Sequence, residues 1–427
     1  MLDLKFIRAH AAAVQAGAAK KRIPIDLDKL LEVDARAREL SGRLDVLRAA
    51  QNEASKAIGK APPADRAKLA ELQKQKKSEL KAEEDRFAAL EAELHTLLLR
   101  IPNVPADDVP EGKDDTENVE VKRWGEPRVF EFGPKDHVAV AEAQGWIEFD
   151  RAAKLAGSRN YVLRGDLSLL EGAVMRFALD RMVAKGFVPL TVPTLVRSEA
   201  MVGTGYFPGG EEQAYRCDER DDLVLVGTAE VPVTSLHSGE ILAAKELPLR
   251  YVALSSCYRR EAGTYGKDTR GLYRVHQFQK VEQVVIDVAD EATSLAHHRE
   301  IVENAEEILV ALELPYRIVN VCGGDLGAPQ VQKFDIETWM PSRKAYGETH
   351  SASRFHDFQA RRLNLRYRGS DGVVRVCHTL NNTVAASARM LIALLENHQR
   401  ADGTVFVPEP LRPYLGGRET LGRAIER

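Results

Sequence analysis

Between Leu30 and Ile58 the apolar residues recur at alternating steps of three and four. They are Leu30, Val33, Ala37, Leu40, Leu44, Leu47, Ala54 and Ile58, with Gln51 the one polar member of the series. This spacing lines one stripe of an α-helix and forms a heptad seam, the pattern by which one helix packs along another. Pro62-Pro63 ends the run, because proline lacks an amide hydrogen and its ring collides with the preceding turn. A second seam follows through Leu69, Leu72, Leu80, Phe87, Leu90, Leu94, Leu97 and Ile101. Two helices of comparable length joined at a proline turn are predicted to fold back as an antiparallel coiled coil. It should occupy about residues 27–101 within an N-terminal domain of residues 1–103. At about 1.5 Å per residue, about 30 to 35 residues make an arm about 50 Å long.

Ile101-Pro102-Asn103-Val104-Pro105-Ala106-Asp107-Asp108-Val109-Pro110 is proline-rich and acidic, a linker signal. From 104 to 427 the pattern becomes mixed. Asp166 is placed to cap a helix whose buried stripe is Leu167, Leu170, Val174 and Phe177. Alternation at period two marks strands at Arg250 to Tyr258, Arg274 to Asp287, Gln332 to Met340 and Val373 to Leu380. Strands interrupted by helices predict an α+β fold, an antiparallel sheet with helices packed on it. The segment from Pro408 to Arg427, rich in proline, glycine and charge, is expected to be partly loose.

The 427 residues are 44% hydrophobic and 29% charged, with a formal net charge of -4. A net negative chain is not a whole-surface nucleic-acid binder, so RNA contact requires a local basic patch. The far half of the predicted arm offers one in Arg43, Arg48, Lys56, Lys60, Arg66, Lys68, Lys74, Lys76 and Lys77. On charge alone these describe a solvated helix surface, with an arm that tracks RNA phosphates as the alternative. Cys217, Cys257, Cys322 and Cys377 lie far apart, which favours a reducing compartment and predicts no structural zinc. The start, Met1-Leu2-Asp3-Leu4-Lys5-Phe6, has no apolar signal core, and no run approaches membrane-spanning length. A cytoplasmic protein without a membrane partner is expected.

The densest chemistry lies in two polar segments, Leu254 to Glu261 and Arg274 to Glu282, joined by a loop with Gly263, Gly266 and Gly271. Alternation puts Arg274, Phe278 and Glu282 on one face of the second segment. A cation, an aromatic plate and a carboxylate then form a row of about 26 Å, enough for an adenylated amino acid to lie along it.

Arg259-Arg260-Glu261, the loop after it and Arg274 to Glu282 resemble motif 2 of a class II aminoacyl-tRNA synthetase, most closely that of the seryl-tRNA synthetase family. Lys185-Gly186-Phe187-Val188-Pro189-Leu190-Thr191-Val192-Pro193 resembles motif 1, a helix, glycine turn and strand that form a dimer interface. His378-Thr379-Leu380-Asn381-Asn382-Thr383, followed by Ala388-Arg389-Met390, resembles motif 3, a strand feeding a helix that bears an arginine. The resemblance covers nearly the whole chain. It implies a class II catalytic domain over residues 104–427 and makes residues 1–103 a tRNA-binding domain.

It also implies roles. Arg259, Glu282 and Arg389 are the catalytic set, because arginines and metal ions must offset crowded phosphate charge. Arg259 would bridge the amino-acid carboxylate and the α-phosphate of ATP, with Arg274 and Arg389 on the outer phosphates. Phe278 would face adenine and Glu261 the purine amino group, with Arg260, Val275, Thr349 and His350 completing the nucleotide site. Glu348 and Ser351 would approach ATP and its Mg2+, since a hard cation takes oxygen ligands. L-Serine selection falls to Thr228, Ala229, Glu230, Arg259, Glu282, Asn381 and Thr383. A site that bonds a hydroxyl rejects an analogue lacking it by about 10⁴ to 10⁵. Read without the resemblance, Arg259 is equally an ion-pair partner of Glu261, and Phe278 a core aromatic.

Three positions depart from the family pattern. Arg260 stands where serine is frequent, Asn382-Thr383 replaces Gly-Ser, and Thr349-His350 stands where Val-Ser is common. His297-His298-Arg299-Glu300 lacks metal-ligand spacing and reads as a solvated helix face, and Gly323-Gly324-Asp325-Leu326-Gly327 as a turn. The resemblance implies a homodimeric serine–tRNA ligase acting on tRNA(Ser), with tRNA(Sec) left open as a second acceptor. A carrier-protein ligase and an inactive RNA-binding paralogue are the rival classes.

Overall fold

In the computed structural model the described residues are 1–424 apart from 61, 219, 264, 265 and 267–269, without the side chains of 57, 59, 60, 63 and 70. The Lys60 side chain of the basic patch and five residues of the glycine-bearing loop, Thr264, Tyr265, Lys267, Asp268 and Thr269, therefore lie outside the described residues. The chain divides into two compact units, one of Met1–Ala19 and Ile23–Pro102, the other of Lys20–Arg22 and Asn103 onward.

In the first unit, helices α1 (Leu27–Lys60) and α2 (Pro63–Leu99) run as a long pair. Pro63 occupies the first position of α2, where a missing amide hydrogen costs nothing. The 34 residues of α1 make it about 50 Å long. Leu30, Val33, Ala37, Leu40 and Leu44 are buried as the seam predicts, and Leu80 meets Leu40 and Leu44 from α2. Each fully buried leucine contributes about 1.5–3 kcal/mol. Leu72 does not follow: it is 50% exposed. Seven residues back from Leu80 is Gln73, which hydrogen-bonds Ser55 across the pair, so Leu72 stands one residue out of phase and faces outward.

In the second unit, eight strands form the main sheet among the described residues. They are β1 (Val119–Trp124), β2 (Val188–Leu190), β3 (Leu249–Tyr258), β4 (Gln277–Asp287), β5 (Tyr316–Asn320), β6 (Gln332–Met340), β7 (Ala345–His356) and β8 (His378–Ala386). Their order is β1-β5-β6-β7-β8-β4-β3-β2. Neighbours are antiparallel except β2, which joins β3 in parallel at the edge. The helices that position the site are α3 (Gly165–Ala184), α4 (Ser198–Thr204), α5 (Glu230–Ser235), α6 (Glu291–Ala311), α7 (Phe358–Leu363) and α8 (Ser387–His398).

Strand alternation sorts the two faces. Val281 and Val285 of β4 join the large core with α3, α6 and α8, and Gln283 donates to the Ile301 carbonyl of α6. Val284 and Ile286 point the other way, into a smaller cluster with Ala229, Val233, Ala360 and Leu363 of the α5 and α7 segments. Lys280 and Glu282 share that second face. Gly186, at φ +85, makes the turn from α3 into β2 that the first motif requires.

Several expectations need correction. β4 begins at Gln277, so Arg274 precedes the strand, because the His276 amide is taken by the Arg159 carbonyl and not by the ladder. Asp166 lies inside the first turn of α3 and accepts from Arg418 and the Gly422 amide instead of capping. The Val373 to Leu380 segment divides into a short strand, Val374–Val376, and the start of β8. His297 and His298 are not a solvated face: His298 is 1% exposed and bonds the Ala352 carbonyl at 3.0 Å, because it shares the sheet-facing stripe of α6 with Ile301. His297 reaches Asp287 at 2.8 Å. The C-terminal segment is packed as far as it is described, with Leu411, Leu415 and Leu421 buried, and 425–427 lie outside the described residues. The four cysteines are unpaired. No helix among the described residues is long and apolar enough to cross a membrane.

Candidate active site

A cleft opens on the second face of the sheet. Its walls include Arg259, Glu261, Val275, Phe278, Glu348, Thr349, His350, Ser351, Thr383 and Arg389, ten residues of the sequence expectation. Arg259 leaves the end of β3 with its backbone amide on the His276 carbonyl at 3.0 Å. Its guanidinium stands 5.3 Å from the centroid of Phe278 on β4. Arg274, outside the strand, pairs with Glu261 at 3.7 Å and so stays at this end of the cleft.

Arg389 enters from the first turn of α8. It lies 4.6 Å from the Tyr273 ring centroid, pairs with the Glu348 carboxylate at 3.1 Å and donates to the Glu348 carbonyl at 2.9 Å. A register shift between Ile336 and Glu337 in the β6–β7 pairing disturbs simple alternation, so that Glu348, Thr349, His350 and Ser351 all line the cleft. Burial pushes the Glu348 carboxyl upward, but the Arg389, Lys333 and Arg259 charges outweigh it and hold it at about 2. His350 hydrogen-bonds Thr349, which in turn meets Thr338, and burial brings the imidazole down to about 4, neutral at pH 7. Glu348 and Ser351 present only oxygen donors, which fits a hard cation that completes its shell with substrate phosphates. Among the described residues no group of three or more His, Cys, Asp or Glu is placed to hold a metal by itself.

Beyond Phe278 the cleft wall is polar, formed by Lys280 and Thr383. Lys280 pairs with Glu282, and both are buried. Thr383 of β8 donates to Glu282 at 3.3 Å and accepts from Lys280 at 3.4 Å. Across from them Glu230 opens α5, with its backbone amide on Thr228 Oγ1 at 3.1 Å. The Glu230 carboxyl is raised by burial and then by Glu282, with Tyr206, Gln359 and Lys280 acting downward. Glu282 is raised by burial, opposed by Lys280, Thr383 and Arg259. Asn381 is buried, and its amide nitrogen has no hydrogen-bond partner among the described residues.

Thr228, Ala229, Glu230, Arg260, Arg274, Glu282 and Asn381 do not line the cleft wall. Arg260 is exposed, with its amide on the Gln213 carbonyl. Ala229 is packed in the smaller apolar cluster. Lys280, Tyr273, Tyr206 and Gln359 were not anticipated. Lys280 was findable, since it sits two residues before Glu282 and must share its face.

Residues 1–105 match the model of the seryl-tRNA synthetase N-terminal domain, and residues 215–398 that of the tRNA synthetase class II core domain (G, H, P, S and T). A serine–tRNA ligase of Deinococcus radiodurans is 50% identical over 425 residues, spanning 100% of both chains. The chain belongs to the seryl-tRNA synthetase family. A serine–tRNA ligase of Rubrobacter xylanophilus is 44% identical over 99% of this chain and 100% of that one. Among solved structures, the seryl-tRNA synthetase of Pyrococcus horikoshii complexed with ATP superposes with a TM-score of 0.91 at 39% identity, over 100% of both chains. The cytoplasmic serine–tRNA ligase of Naegleria fowleri in complex with AMP gives 0.87 at 30% identity, over 99% of each. The α+β architecture expected from the seryl-tRNA synthetase resemblance is the one observed: a long helical pair and a flanked, largely antiparallel sheet.

Proposed function

We propose that this protein is a serine–tRNA ligase, forming seryl-adenylate from L-serine and ATP and transferring serine to tRNA(Ser). One observation carries the reading. Arg259 and Arg389, from distant segments, meet Glu348 around Phe278, and the same cleft reaches Lys280 and Thr383, which both bond the buried Glu282. An anionic nucleotide fits the first end and a small zwitterion with a hydroxyl fits the second.

In the first step a serine carboxylate oxygen attacks the α-phosphorus, the bond to the bridging oxygen breaks, and pyrophosphate leaves. Arg259 is assigned the bridge between carboxylate and α-phosphate, because its planar fork can bond both. Arg274 and Arg389 are assigned to the outer phosphates and Phe278 to the adenine face. Glu348 and Ser351 would hold Mg2+, which offsets phosphate charge when ATP is bound. Glu230 and Glu282 supply the negative charge for the serine ammonium, and Thr383 and Asn381 the polar contacts for its hydroxyl. The second step transfers serine to the terminal ribose of tRNA, with AMP leaving. Residues 1–103 are assigned the grip on the tRNA, through exposed Lys56, Arg66, Lys68, Lys74, Lys76 and Lys77. Pairing of two copies through the first motif and residence in the cytoplasm complete the proposal. Serine-dependent pyrophosphate exchange, run against threonine, alanine and cysteine, tests it. Exchange that ignores serine would reject it.

A further inference from the structure

We propose that Gln359, with Tyr206, is a positioning residue for amino-acid selection that fixes both carboxylate oxygens of Glu230 so that they face an incoming ammonium. The inference rests on the serine reading above and extends it to residues outside the motifs.

Gln359 lies in α7 and is 1% exposed. Its Nε2 donates to Glu230 Oε1 at 2.8 Å and to the Thr204 carbonyl at 3.0 Å. Its Oε1 accepts from Thr379 Oγ1 at 2.6 Å. A flipped amide would set its oxygen against two acceptors, so the neighbours dictate its orientation. Tyr206 donates to Glu230 Oε2 at 2.8 Å. Each oxygen of Glu230 therefore meets one fixed, neutral donor. The packing here is close: a Cβ on Gly203 of α4 would lie 2.2 Å from the Leu363 side chain of α7, so a larger residue would have to push that side chain aside beside the Thr204 carbonyl that Gln359 meets.

Neutrality is the point of the arrangement. A lysine or arginine in place of Gln359 would orient Glu230 equally well but would cancel the charge needed for an ammonium. The charged groups that act on Glu230 and Tyr206 are Glu282 and Lys280 from β4 and Arg259. The cations of α7 itself turn elsewhere: Arg361 to Asp357 at 2.6 Å, and Arg362 to the Val202 and Phe207 carbonyls at 2.9 Å each. Burial and the nearby Glu282 push the Glu230 carboxyl upward, and the two neutral donors oppose them. Removing one donor thus raises it further, and the acid limb of serine binding moves to higher pH.

The test is ATP–pyrophosphate exchange by the full-length protein, with KM for serine and for ATP measured from pH 5 to 9. Gln359→Leu should raise KM for serine by about 10- to 100-fold, the scale for a hydrogen bond to a charged group, with KM for ATP within about twofold. Its acid limb should move upward. Thr379→Val, which frees only the orientation of the amide, should shift both in the same direction by less, and Gln359→Asn should recover part of the loss. Tyr206→Phe keeps the volume and should move the limb as well, which decides the matter if Gln359→Leu does not fold. Equal rises in both KM values with an unmoved limb, or variants that match wild type, would overturn the inference while leaving the serine reading intact. A wild type that exchanges without regard to serine would overturn both.

Discussion

Lys280 and Glu282 leave β4 on the same side, and each makes the other tolerable. An isolated buried carboxylate takes up a proton sooner than it holds a charge, and an isolated buried ammonium gives one up. Together with Arg259 and Thr383 they place opposite charges beside one another in a cleft that excludes much water. Arg259 is the guanidinium that reaches both ends of that cleft, because it stands over Phe278 and also acts on Glu282 and Glu348. Arg259→Ala should therefore lower serine activation by about 10² to 10³, the scale for losing one charge-stabilising donor. Pyrophosphate exchange reads this directly, and near-normal turnover would remove Arg259 from the mechanism. The pH response should differ between the two substrates. Glu348, held at about 2, stays ionised from pH 9 down to 4, so KM for ATP gains no acid limb from it. Glu230 and Glu282 have raised values, so kcat/KM for serine should fall as acid protonates that pair. Coincident acid limbs for both substrates would contradict this assignment.

At the scale of elements, the helical pair offers the cleanest separation of roles. Arg43 of α1 reaches Glu83 of α2 at 3.6 Å, so the chain at Gly42 and at Ala82 is already side by side. Deleting Arg43 to Lys81 and joining the ends with a short turn should leave serine-dependent exchange intact while tRNA charging falls at least tenfold. If exchange fell in parallel, the arm would support the catalytic unit and not the RNA. The heptads made this pair legible because burial along a helix depends on position alone, as Leu30 to Leu44 illustrate. Leu72 obeys the same rule: the heptad step from Leu80 falls on Gln73, so the leucine beside it is out of phase and exposed. β4 was legible over Gln277 to Asp287 for the corresponding period-two reason, yet its start was not. That boundary depends on an amide of His276 meeting a carbonyl of Arg159, a distant partner without local signature. Gln359 and Tyr206 were invisible for the same reason. They act on Glu230 from segments that carry no motif, and only the packing of α4 against α7 joins them to it.

For the molecule as a whole, the sheet divides labour between its faces, and the buried histidines follow from that division. The face under α3, α6 and α8 carries the large apolar core, where a buried polar group needs a hydrogen-bond partner. His298 meets the Ala352 carbonyl and His398 the Leu312 carbonyl at 2.8 Å, and burial lowers each to about 4 from 6.5. Between those two values the unfolded chain binds a proton that the folded chain refuses. Stability from these groups is therefore complete above about pH 6.5 and is lost as pH falls toward 4. Asp335, raised to about 7 by burial, works in the opposite direction, so the wild-type curve alone does not isolate the histidines. A difference between variants does. His298→Gln keeps a donor for the Ala352 carbonyl but cannot titrate, so it should lower stability at pH 7 through imperfect packing. Between pH 7 and pH 5 it should then lose less than wild type, by on the order of 1–2 kcal/mol. Denaturant unfolding at the two pH values measures the difference, and parallel losses would mean that His298 accepts its proton without leaving the core.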